Sequence, residues 1–285
     1  MCRWIAYVGS PVHMDELILK PEHSLIDQSL ASKEGAETTN GDGFGVGWYG
    51  DTLEPGLYKS TEPAWNDRNL AELSKHIRSH LFLAHVRATT GTPIQQTNCH
   101  PFCHRQWLFV HNGVIRDYHR VRRDLAFAVD PVLFPGIEGT TDSELMFNLA
   151  LTFGLESDPI VALERMTGFV EEVGRQHNVE HPVQMTLGLS DGKRLFAVRY
   201  SSERQSRSLY HSREIAALKE LNPKFRKFPD DVHAIVSEPL SEMSEMWERV
   251  PESSVVVVDA GTLTVQPFEP RGACRILDRP TNRMR

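Results

Sequence analysis

The sequence is short of the residues that mark several large protein classes. It carries 4 cysteines in 285 residues, at positions 2, 99, 103 and 274, too few for a disulfide framework in a chain this long. Basic charge is not in excess: 31 Lys+Arg face 38 Asp+Glu, a formal net charge of -7. That balance offers no electrostatic footprint for nucleic acid. No apolar run approaches the roughly 18 residues that mark a membrane helix. The stretch after Cys2, Arg-Trp-Ile-Ala-Tyr-Val-Gly, lacks the basic-then-apolar order of a signal peptide. Repeats, low-complexity segments and a dividing linker are also missing. These absences leave a cytoplasmic protein without membrane contact as the expectation. Hydrophobic residues at 40% and charged residues at 24% give an ordinary globular composition with length for a large core. We expect one domain over residues 2–270 and a basic, solvated tail over 271–285.

What the chain does have begins at Met1-Cys2. A residue as small as Cys allows the initiator methionine to be trimmed. The trimmed chain would carry a thiol and an α-amine on one residue. The amine, with an ordinary pKa of about 7.7–8.0, can take a proton near neutrality, and the thiolate is the attacking species. An ordinary second residue is the competing reading.

Cys2–Val8 reads as a short apolar strand ended by Gly9-Ser10-Pro11, and such a strand would hold the terminus rigidly. In Asn40-Gly-Asp-Gly-Phe-Gly-Val-Gly the alternating glycines either form a turn or leave one strand face bare for a backbone or ligand. Asn66–His80 has helical spacing of Leu70, Leu73 and Ile77. The apolar strand from Leu81 ends on Arg87, Thr89 and Thr90. Arg87 is then a structural ion pair or a planar fork for a carboxylate. Cys99, His100, Cys103 and His104 could suggest zinc, but Pro101 breaks a helix that would align them, so a substrate loop is preferred and no metal is expected. The strand Gln106–Ile115 runs into His111-Asn112-Gly113, a hairpin turn or an oxyanion hole built from an amide and an N–H. Thr141 or Asp142 caps a helix, or Asp142 meets a substrate ammonium. Helices are expected over Asp117–Val129 and Pro159–His177. Strands follow from Val183, with Ser201–Ser208 as an exposed loop.

Together the segments are more specific than any alone. A nucleophilic cysteine needs an oxyanion hole and an anchor. Arg87 with Asp142 offers one cation and one anion, which fits an α-amino-acid head group and so a γ-glutamyl amide. Cys2, His85-Val-Arg-Ala-Thr-Thr, Asn98-Cys-His-Pro-Phe, His111-Asn-Gly and Thr141-Asp-Ser-Glu, in this order, resemble the class II (N-terminal nucleophile) glutamine amidotransferase domain. Met1-Cys-Arg, His23-Ser-Leu-Ile-Asp-Gln-Ser and Pro63-Ala-Trp-Asn-Asp are similar to its small stand-alone branch of γ-glutamyl hydrolases. The resemblance implies an α+β fold, a four-layer αββα sandwich. It implies Cys2 as nucleophile with its α-amine as base, and Asn112 and Gly113 as oxyanion hole. Arg87 and Asp142 would bind the glutamyl group, with Thr90 and His100 in matching segments. It implies a small γ-glutamyl substrate and no cofactor. Ala88 and Gly91 depart from larger members, which carry Trp and His there. A glutaminase subunit feeding ammonia to a protein partner, a catalytically silent scaffold, and a homo-oligomer are compatible with the same motifs.

Overall fold

The protein was described as a computed structural model, in which residues 2–34, 39–89, 91–214 and 229–272 are described. Met1, Thr90, Cys274 and the basic tail from 273 lie outside them.

Two antiparallel sheets carry the fold. The first strand, β1 (Arg3–His13), pairs with β4 (Arg78–Val86) on one side and β10 (His233–Val236) on the other. With β2 (Phe44–Trp48), β3 (Gly56–Ser60), β9 (Tyr210–Ser212) and β11 (Trp247–Arg249) they make a 7-stranded sheet, order β11-β9-β10-β1-β4-β2-β3. The second sheet has 6 strands. These are β5 (Phe102–His104), β6 (Trp107–Ile115), β7 (Val183–Ser190), β8 (Leu195–Ser201), β12 (Ser254–Asp259) and β13 (Thr262–Pro267), in the order β13-β12-β8-β7-β6-β5.

Alternation along each strand sorts side chains into layers. Trp4, Ala6 and Val8 of β1 join Leu81, Leu83, Leu108, Val110, Leu195, Ala197 and Val256 in a core between the sheets. Ile5 and Tyr7 point the other way, with Phe82 and Ala84, onto α1 (Asp15–Ile18), α2 (Leu25–Leu30) and α3 (Arg68–His76). Phe109, Leu187 and Val198 cover the outer face of the second sheet. They pack on α4 (Tyr118–Phe127), α5 (Asp142–Thr152) and α6 (Pro159–Gln176). The central strands of each sheet are buried on both faces, which is why β1, β4 and β7 read as almost unbroken apolar runs. This is the expected αββα sandwich.

The structure departs from the pattern in four places. β1 does not stop at Gly9 but continues to His13, with a register irregularity between Val8 and Val12 that absorbs Pro11. The helix expected over Asn66–His80 ends at His76, because Arg78 already pairs with His13. The strand expected over Ser208–His211 lies instead at Tyr210–Ser212. Arg271, assigned to a solvated tail, donates its N–H to Glu164 O on α6 at 3.0 Å.

The glycines of β2 take the bare-face reading. A Cβ on Gly45 would lie 2.2 Å from His100 O, and one on Gly47 would lie 2.8 Å from Leu108 Cδ1, so backbone and side chains of the second sheet fill that face. Close approach recurs at Gly188, where a Cβ would sit 2.9 Å from the Trp4 ring and 3.0 Å from Val110. Trp4 is fully buried and its ring cannot retreat. Gly188→Ala should therefore destabilise the protein by about 1–3 kcal/mol, read as a lower urea midpoint at unchanged slope. An unshifted midpoint would mean that the sheets yield at this point.

Candidate active site

Strand parity places the site. Cys2 shares the inward face with Trp4, Ala6 and Val8, and Arg87 follows Val86, the partner of Arg3. The two side chains therefore leave adjacent strand ends toward the gap between the sheets. Along the inner face of the second sheet the apolar pairs give way, at the same end, to one polar row. Asn112 faces Thr186, Thr186 faces Arg199, and Arg199 faces Ser254. Trp4 Nε1 donates to Thr186 Oγ1 at 3.1 Å, and Thr186 Oγ1 donates to Asn112 O at 3.4 Å. These bonds tie the strand that follows Cys2 to the Asn112 strand.

Cys2 is half-buried, its Sγ 3.4 Å from Ala88 N and 3.5 Å from Ala88 O. Its carbonyl accepts from Arg3 Nη1 at 3.0 Å, while Arg3 Nε donates to Glu238 Oε2 at 2.7 Å. Glu238 also receives Lys33 N at 2.8 Å and Glu34 N at 3.1 Å, and touches His23 Nε2. Burial pushes the Glu238 carboxyl up, but His23, the Lys33 N–H and Arg3 outweigh it and hold the group below the usual range. A buried carboxylate with this many donors fixes the backbone that carries Cys2.

Arg87 is 3% exposed. Its guanidinium meets only neutral oxygens among the described residues: Asp42 O at 3.3 Å, Thr89 Oγ1 at 3.3 Å and Thr92 Oγ1 at 2.6 Å. The Asp42 carboxylate is spent on Thr89 N at 2.7 Å. A buried cation without a counter-ion is costly, and an incoming carboxylate would relieve that cost. Asn98 joins this loop to the head of α5, receiving Thr140 N at 2.8 Å and donating to Pro93 O at 2.9 Å.

Thr141, not Asp142, caps α5, accepting Glu144 N at 3.2 Å. Asp142 is the first helical residue; its Oδ2 receives Ile115 N and its Oδ1 Ser143 N, each at 2.8 Å. Asn112 and Gly113 do not form a turn. β6 runs through them to Ile115, fully paired with β7. Asn112 is buried, and its Oδ1 accepts from Arg207 Nη1 at 2.9 Å. A Cβ on Gly113 would lie 2.1 Å from Gln184 O, so no side chain fits there.

His100 is buried, stacked on His85 with ring centroids 4.1 Å apart and edge-on to Phe102 at 4.5 Å. Neither of its ring nitrogens has a partner among the described residues. His85 Nε2 donates to His111 O at 3.2 Å, and His111 Nδ1 lies 2.8 Å from Ser143 Oγ. The four Cys and His residues of the 99–104 segment diverge: Cys99 Sγ is buried against Ser60 O at 3.4 Å, whereas Cys103 is exposed. Among the described residues no group of three or more His, Cys, Asp or Glu could hold a metal ion.

With this geometry in view, a family model described as class-II glutamine amidotransferases matches residues 20–278. The chain belongs to that family. It is 29% identical to the probable glutamine amidotransferase DUG3 of Saccharomyces cerevisiae, over 94% of this chain and 84% of that protein. It is 27% identical to the gamma-glutamyl-hercynylcysteine sulfoxide hydrolase of Mycolicibacterium smegmatis, over 94% of this chain and 100% of that protein. A glutamine aminotransferase class-II domain protein from Silicibacter pomeroyi superposes with a TM-score of 0.72 at 30% identity, covering 94% of this chain and 99% of that one. The glutamine phosphoribosylpyrophosphate amidotransferase of B. subtilis shares the fold, with a TM-score of 0.59 at 12% identity. This class-II glutamine amidotransferase is thus an enzyme of the amidohydrolase type. No described helix is long and apolar enough to cross a membrane.

Sequence patterns did not single out Asp42, Thr92 or Arg207. Asp42 was visible only as the residue between two glycines, and the other two as polar loop residues.

The buried histidines set a pH dependence. Desolvation holds His85 down to about 3 and lowers His100 and His111 well below their ordinary value. The unfolded chain takes up these protons near pH about 6.5 and the folded one does not, so the unfolded state binds more protons as pH falls. Stability is then complete above about pH 6.5 and declines below it, by up to roughly 1.4 kcal/mol per pH unit for each histidine. His100→Phe, which keeps the stacking, should stay within about 1.5 kcal/mol of the parent near neutrality and lose stability less steeply toward pH about 5. Parallel slopes for the two proteins in urea unfolding would refute this.

Proposed function

We propose that the enzyme hydrolyses the γ-glutamyl amide bond of glutamine or a small γ-glutamyl compound through a Cys2 thioester. The observation that carries this is the buried Arg87, cradled by neutral oxygens and one residue from the backbone groups that flank Cys2 Sγ. Arg87 binds the substrate α-carboxylate and Asp142 its ammonium. Together they set the γ-carbonyl carbon against the sulfur. His100, packed on His85, is a wall of the pocket.

With Met1 removed, the α-amine of Cys2 takes the thiol proton. The thiolate adds to the γ-carbonyl, and the oxyanion is held by the Asn112 amide and the Gly113 N–H. The protonated amine then gives its proton to the leaving nitrogen, the C–N bond breaks, and the thioester remains. Water, deprotonated by the same amine, adds to the thioester; the C–S bond breaks and glutamate leaves. The names of two relatives, an amidotransferase and a γ-glutamyl hydrolase, support this substrate class.

Glutamate release across a panel of γ-glutamyl compounds tests the reading. Cys2→Ala should abolish release, and Asn112→Ala should lower kcat by about 10²–10³. Arg87→Lys, which loses the planar fork, should act mainly on KM. Full turnover in a clean Cys2→Ala preparation would end the proposal.

A further inference from the structure

The polar stretch between β8 and β9 looks like a solvated loop in sequence, yet it is mounted on the second sheet. Arg199 of β8 is buried. Its Nε donates to Arg207 O at 2.8 Å, its Nη2 to Ser206 O at 3.3 Å and its Nη1 to Val250 O at 2.7 Å. Ser206 N is held by Glu252 Oε2 at 3.2 Å. The backbone of Arg207 is therefore as fixed as a strand.

From that mount the Arg207 side chain reaches back across the sheet. Its Nη1 donates to Asn112 Oδ1 at 2.9 Å and its Nε to Gln184 Oε1 at 3.2 Å. Gln184 Nε2 in turn donates to Gln205 O at 3.1 Å. Arginine has five donors and no acceptor. It can face only the oxygen of an amide, so Asn112 keeps one of its two amide orientations, with Nδ2 directed away from Arg207. The flipped amide would set two donors against each other in a buried place. The guanidinium also polarises the amide, which strengthens Nδ2–H as a donor to an anion.

We propose that Arg207 is a positioning residue for the reaction: it locks the Asn112 amide with its NH₂ toward the oxyanion. This rests on the assignment of Asn112 to the oxyanion hole. Arg207 acts through Asn112, on the transition state and not on substrate affinity.

The test is a double-mutant cycle with Arg207→Gln, Asn112→Ala and the double variant, assayed as glutamate release from L-glutamine and from a γ-glutamyl anilide. Arg207→Gln should lower kcat by about tenfold to a hundredfold, a part of the full loss of one oxyanion donor, with KM little changed. In the Asn112→Ala background the same substitution should do almost nothing, because its target is gone. Added guanidinium ion should restore part of the kcat of Arg207→Gly. An equal loss in both backgrounds, or a loss confined to KM, would overturn the proposal and make Arg207 a substrate or structural contact. A normal kcat in Asn112→Ala would instead remove the oxyanion assignment itself. Independently of turnover, the side-chain amide NMR signals of Asn112, identified by their loss in Asn112→Ala, should shift and exchange faster with water in Arg207→Gln. Unchanged signals in a variant that unfolds at the parent temperature would also overturn it.

Discussion

The constraint on which the site depends is the position of β1 in the middle of its sheet. Paired with β4 on one side and β10 on the other, it cannot fray as a terminal strand usually does. Its inward face carries Trp4 into the inter-sheet core, and a bond from that indole to Thr186 registers one sheet against the other. Arg3 and Glu238, both buried, close the backbone at the position of Cys2. Cys2 is consequently placed by two strands, a packed tryptophan and a buried ion pair.

Charge is arranged around this frame by burial and pairing. Glu238 is saturated with donors and serves the backbone. Arg87 is surrounded by neutral oxygens among the described residues, with no counter-ion among them. The neighbouring histidines are kept neutral by desolvation. They add no cation to compete with the guanidinium, and their ring faces pack as apolar surface. The difference between the two arginines, Arg3 and Arg87, is one of partners and not of depth.

Much of this was legible in the sequence where chemistry and spacing coincide. Asn112-Gly113 and the Arg87 strand end are local patterns, and helices α4 to α6 follow from apolar spacing. Alternating glycines in β2 left a turn and a bare face as equal readings, and only the fold shows His100 O against that face. Turn chemistry misled at two points. Gly9-Ser10-Pro11 looks like a stop, but pairing of Val12 with Ser79 carries β1 on. Asn112-Gly113 looks like a hairpin, but eight consecutive pairs with β7 hold it in a strand. Arg207 was hidden for a different reason: its order comes from Arg199 on another strand, and no property of the Ser201–Ser208 stretch itself records that.

The pairing of β1 with β10 also has a bearing on biosynthesis. Trp4 and its partner Ser237 are separated by 233 residues. On the ribosome the first strand emerges early and waits for its neighbour until most of the polypeptide has been made. During that interval β1 has only β4 to pair with. Once β10 docks, both edges of β1 are paired. Topology thus makes the strand that follows Cys2 the first to be made and a late one to be closed on both edges.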